Sequence, residues 1–144
     1  MKWLMRAKRR EKRKNDKYRE LMAQADEIIC RKKLYLDRNF TKEDLAVQLG
    51  TNRTYLGAAM SFCRRGKWCD YINSFRLKCF MEEVCLKDTR HVRVSELAER
   101  CGFGSYHALN DSIKKKYGIT AAAYKKNLST SLRAEGRANT ATLS

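Results

Sequence analysis

Apolar residues recur at three and four along most of this chain, the period of an α-helix, between short polar or glycine-marked breaks. Residues 1–20 are the exception: helix-forming residues dominate, but no apolar face repeats, and the stretch reads as a basic, solvated N-terminal arm open to helix formation. From about Asp26 the pattern becomes globular. Residues 20–36 read as a helix with Ile28, Ile29, Leu34 and Leu36 as apolar positions, followed by a turn at Asp37–Phe40. Thr41 and Asp44 form a capping-box-like start for a helix over 41–49 that buries Leu45, Ala46 and Leu49. A second helix, 52–63, turns Tyr55, Leu56, Ala59 and Met60 inward, and Arg64-Arg65-Gly66-Lys67 is a basic loop. The longest periodic segment, 68–87, repeats Trp68, Tyr71, Ile72, Phe75 and Cys79, which that spacing assigns to the core. After a polar connection, helices are expected near 94–101 and 105–117, then a short one from Ala121 to Lys126 with Tyr124 inward. The Ser-, Thr- and Ala-rich residues from Leu128 have little to bury and read as a disordered polar tail.

Within that frame one arrangement appears twice. Leu45-Ala46-Val47-Gln48-Leu49-Gly50 leads to Leu56, and Leu97-Ala98-Glu99-Arg100-Cys101-Gly102 leads to Leu109. In each, Ala stands four residues before Gly, and a large apolar residue follows the Gly by six or seven. The small Ala lets two helices cross closely, and Gly takes the positive φ that ends the first of them abruptly. This is the spacing of a helix-turn-helix unit, and the two glycines lie 52 residues apart. The expected fold is therefore all-α, two helix-turn-helix subdomains joined by a long linker helix. The divisions are an arm over 1–20, a first subdomain over 21–67, the linker over 68–87, a second subdomain over 88–127 and the tail over 128–144. At about 1.5 Å per residue the linker is roughly 30 Å long, close to the 34 Å between successive major grooves on one DNA face.

Charge sharpens this picture. The net charge is +16, and residues 1–20 hold ten Lys and Arg against three acids, so +7 of it lies in the arm. Such an excess calls for a polyanionic partner, nucleic acid first and an anionic membrane surface second. The chain has no Pro, in keeping with uninterrupted helices. No apolar run reaches the length of a membrane span. Its six Cys contain no C-x-x-C pair and several fall at apolar helical positions, the pattern of free, mostly buried thiols in a reducing cytoplasm rather than of a disulfide framework or a zinc site. The two His have no metal-ligand company, and no catalytic constellation or Gly-rich phosphate loop is present, so neither an enzyme nor a cofactor or metal is expected.

From about Ile28 to Asn127 the chain resembles the DNA-binding region of AraC/XylS-type transcription regulators. The resemblance rests on Leu34-Tyr35-Leu36-Asp37, Phe40 to Ala46, Leu49-Gly50-Thr51-Asn52-Arg53-Thr54-Tyr55-Leu56, Asp70-Tyr71-Ile72-Asn73 with Arg76-Leu77, Glu96 to Phe103, and Lys114 to Lys116 followed by Tyr117-Gly118-Ile119-Thr120 with Tyr124. It implies two helix-turn-helix subdomains on a linker helix, binding adjacent major-groove segments, with RNA polymerase as a further candidate partner. The chain departs from the family at Ala58 and Asp111, where a basic residue is usual late in each recognition helix, and at Ala121, where Pro is common. The sensor domain that most full-length members carry is missing, and no small-molecule domain is evident.

The candidate base contacts are Asn52, Arg53, Thr54 and Gly57 on the first recognition helix and Tyr106, His107 and Asn110 on the second. Arg pairs with the guanine edge, and Thr bonds a base or touches a thymine methyl. Asn52 and Ser105 have a competing role as helix N-caps. The candidate phosphate contacts are Arg64, Arg65, Lys67, Ser105, Lys114, Lys115 and Lys116. Duplex DNA is the expected partner and the cytoplasm the expected location. Two rivals stand beside it: a helix-turn-helix module with reduced readout that binds an acidic protein, and the cytoplasmic output domain of a larger membrane sensor.

Overall fold

A single helix, α1 (Lys2–Lys32), opens the chain in the computed structural model, which describes residues 1–128. All the secondary structure among the described residues is helical. Five further helices follow, α2 (Lys42–Gln48), α3 (Arg53–Phe62), α4 (Trp68–Cys85), α5 (Val94–Arg100) and α6 (Tyr106–Tyr117), and then a last, α7, over 121–128. Short 3-10 turns cover Leu34–Leu36 and Lys87–Thr89. The expected tail lies outside the described residues except for Leu128.

α1 joins into one helix the N-terminal arm, expected to be solvated and open to helix formation, and the helix expected over 20–36. Nothing between residues 2 and 20 interrupts helix formation, so arm and helix are continuous. The helix stops at Lys33, which takes a left-handed conformation (φ 52°) while its amide donates to the Ile29 carbonyl. Leu34 and Leu36 therefore fall in a 3-10 turn, and Leu36 is exposed rather than core.

The chain divides into two units, residues 1–72 and 73–144. In the first, Tyr18, Leu21, Met22, Ala25 and Ile29 form the buried face of α1. Tyr18 packs on Tyr55 and Phe62 of α3, ring centres 5.2 and 5.6 Å away. Leu45 and Ala46 of α2 and Leu56, Ala59 and Met60 of α3 are buried in the same unit. α2 carries the full capping box: the Asp44 amide donates to Thr41 Oγ1 (3.2 Å) and the Thr41 amide to Asp44 Oδ2 (3.0 Å). Of the aromatic positions expected in the core, Tyr71 is buried, whereas Trp68 and Phe75 are half-buried; Trp68 sits beside Phe40 and Tyr71.

The second unit centres on Leu77, Phe80, Val84, Leu97, Cys101, Phe103, Leu109 and Ile113. Tyr124 of α7 packs against this core, its ring 6.3 Å from Phe80. The Lys125 ammonium donates to the Val92 carbonyl, tying α7 to the segment before α5. Arg76 is buried and donates to Asn73 Oδ1 at 3.1 Å.

Candidate nucleic-acid interface

Two turns of the same construction present α3 and α6. Past the end of α2, Gly50 takes φ 68°; its amide donates to the Val47 carbonyl (3.1 Å) and the Thr51 amide to the Ala46 carbonyl (2.9 Å). Past α5, Gly102 takes φ 88°, its amide donates to the Glu99 carbonyl (3.0 Å) and the Phe103 amide to the Ala98 carbonyl (3.0 Å). This paired pattern is the Schellman motif, which uses a left-handed residue to satisfy the last carbonyls of a helix. The two copies then differ by one residue. Asn52 caps α3 directly, its Oδ1 accepting from the Tyr55 amide at 2.8 Å, whereas Gly104 intervenes before Ser105, whose Oγ accepts from the Ala108 amide at 3.2 Å.

In the first unit, Arg53, Thr54, Ala58 and Ser61 are exposed on α3. Arg53 pairs with Glu43 of α2 at 3.0 Å, and with side chains 66% and 55% exposed this pair is worth little and is readily exchanged for another acceptor. Asn52 is spent as a cap, which leaves its Oδ1 engaged. Gly57, expected to face outward, is half-buried beneath the side chain of Lys42.

Lys42 and Arg38 are cations that the reading of the sequence did not single out. With Arg53 and Lys67 they line an open groove of about 620 Å³ that also contains Trp68 and one acid, Glu43. Their only mark in the sequence is their own charge, which Asp37, Glu43 and Asp44 offset in the same segment.

The basic loop after α3 divides into two kinds of residue. Arg64 and Lys67 are exposed. Arg64 closes α3 with φ 55°, in the left-handed region where a side chain is strained. Arg65, expected on phosphate, instead donates to Asp26 Oδ2 of α1 at 2.7 Å, while the Tyr71 hydroxyl donates to Asp26 Oδ1 at 2.5 Å. Asp26 thus fastens α1 to the loop and to the start of α4. Burial, and then the hydrogen bond to this carboxylate, push the Tyr71 hydroxyl well above its ordinary pKa.

In the second unit, His107 is exposed, with Tyr106 half-buried against the core and its ring 6.0 Å from the imidazole. Asn110 is corrected from an outward base contact to an internal cap. It is half-buried, and its Oδ1 accepts from the Ala121 amide at 2.9 Å, holding the first turn of α7. Asp111 is exposed. Lys114, Lys115 and Lys116 are exposed in the last turn of α6, where cations also complement the helix dipole; the Lys116 ammonium lies 5.5 Å from the Tyr117 ring centre.

Among the described residues no cluster of His, Cys, Asp or Glu has the arrangement of a metal site, and no helix is long and apolar enough to cross a membrane. The cysteines are free thiols, but the expectation that most are buried is corrected: Cys30, Cys69 and Cys85 are exposed, Cys63 and Cys79 half-buried, and Cys101 alone is buried. Burial and a hydrogen bond with Cys79 push the Cys101 thiol far up, so this sulfur stays protonated and unreactive. Comparison with protein-family models, with curated proteins and with solved structures finds no match to this chain.

Proposed function

We propose that this chain is a sequence-specific DNA-binding transcription regulator of the AraC/XylS type, with two helix-turn-helix subdomains joined by α4 and with α3 and α6 as the helices that enter the major groove. The observation that carries this reading is the repeated turn. Both copies end a short helix at a left-handed glycine with the same two backbone hydrogen bonds, and both start a longer helix with a side-chain cap. In each copy the residue after the cap begins a partly solvated helix face, Arg53-Thr54 in one and Tyr106-His107 in the other.

The roles divide unevenly. Arg53 and Thr54 are the base readers of the first unit, with Lys42, Arg64 and Lys67 on flanking phosphates. In the second unit His107 is the exposed reader, and the lysines at the end of α6 hold the backbone. Asn52, Asn110 and Ser105 serve the fold as caps. Asp111 excludes phosphate from its part of α6, so α6 meets the duplex through its first turn and its last.

The test is a fluorescence-anisotropy titration of duplex DNA at two salt concentrations. If about six to ten phosphates are neutralised, raising salt from about 50 to 200 mM weakens binding by roughly 10³- to 10⁵-fold. A salt slope near zero overturns the proposal.

A further inference from the structure

The first turns of α1 carry a surface that DNA reading does not use. From Lys2 to Lys17 every residue is exposed except half-buried Asn15, and Tyr18 is the first to be buried. This stretch is about 24 Å of helix at about 1.5 Å per residue. Cations dominate it and stack along the axis: Lys2 and Arg6, Arg6 and Arg10, Arg9 and Arg13 each stand four residues apart. Like charges at that spacing oppose the helix that holds them. Among the described residues, ion pairs involve nothing before Asp16. An anionic surface removes this repulsion.

Between Lys2 and Arg6 stand three large apolar side chains, Trp3, Leu4 and Met5, which are 77%, 53% and 58% exposed. A duplex backbone would take the cations and leave these three in water. A lipid surface takes both. Trp favours the boundary between headgroups and acyl chains, Leu and Met gain by entering it, and Lys and Arg lie among anionic headgroups. We propose that residues 2–17 dock on anionic lipid bilayers as a peripheral anchor, with Trp3, Leu4 and Met5 entering the interface and the cations from Lys2 to Lys14 meeting the headgroups. This inference stands independently of DNA binding.

The full chain is mixed with vesicles of phosphatidylcholine alone or with phosphatidylglycerol added, and sedimented. The chain is expected in the pellet only with the anionic vesicles. In a Trp68→Phe background, which leaves Trp3 as the only tryptophan, its emission shifts to the blue on binding. Reversing Arg9, Arg10 and Arg13 to Glu together lowers vesicle partitioning on the order of 100-fold. Changing Trp3, Leu4 and Met5 to Ser together, at unchanged charge, lowers it at least about tenfold. The proposal is overturned if the unmodified chain stays in the supernatant with anionic vesicles, or if the serine variant partitions like its parent. It is equally overturned if charge reversal weakens duplex binding while leaving vesicle binding intact.

Discussion

The ammonium of Lys42 lies 2.6 Å from the point where a Cβ on Gly57 would stand. A lysine from the first turn of α2 is thereby laid across the middle of α3, in space that only a glycine leaves open. The positive charge of the first unit is carried onto the face that Arg53 and Thr54 begin.

Gly57→Ala separates the fold from this surface. A mid-helix Gly costs about 1 kcal/mol against Ala, and only the far end of a flexible side chain has to move. The variant is expected to be more stable by about 0.5–1 kcal/mol in a thermal melt. Displacing one phosphate-directed cation should at the same time weaken duplex binding about 3- to 10-fold. Stronger duplex binding by the variant would remove Lys42 from the interface.

Arg64 bears a related tension. Its left-handed backbone (φ 55°) is one that glycine adopts without strain. Arg64→Gly is expected to raise stability by about 0.5–1 kcal/mol while lowering the slope of log affinity against log salt by about 1. An unchanged salt slope would show that Arg64 touches no phosphate.

Gly50 and Gly104 make a matched pair, since a Cβ on either meets nothing within 4 Å. Only Gly50 has a positive φ, 68°. Gly50→Ala should therefore cost about 1–2 kcal/mol through backbone strain alone, and Gly104→Ala should stay within about 0.5 kcal/mol. Denaturant unfolding measures both. Equal costs would contradict the role given to the left-handed turn.

The Tyr71–Asp26 hydrogen bond gives a pH signature. The folded-state pKa of Tyr71 is raised, so the native state holds this proton more tightly than the unfolded chain does. Its contribution is fully present below about pH 10, the unfolded value, and is lost as pH rises above it. Tyr71→Phe should cost about 1–2 kcal/mol near neutrality, and the gap from the parent should narrow above about pH 10. A gap that stays constant through that range would contradict the assignment.

What the sequence made legible is local. Gly50 and Gly102, the Thr41–Asp44 box and the caps at Asn52 and Ser105 act within a few residues of themselves, and their helices appear where those signals place them. What it hid is long-range. Arg65 looked like one more cation of a basic loop, but its partner Asp26 lies 39 residues away. Asn110 looked like an outward polar residue until the chain returned Ala121 to it, 11 residues later. The continuity of α1 is hidden for a different reason: before Tyr18 its residues are helix formers, but with no apolar face they carry no periodic mark.

The most direct test of the central claim is selection of bound duplexes from a random-sequence pool by the full chain, followed by sequencing. The account predicts a bipartite motif with half-sites about 10 base pairs apart, the half read by α3 being the better defined and losing a specified position with Arg53→Ala. Recovery of bound DNA with no enriched sequence, or of no bound DNA, would contradict it.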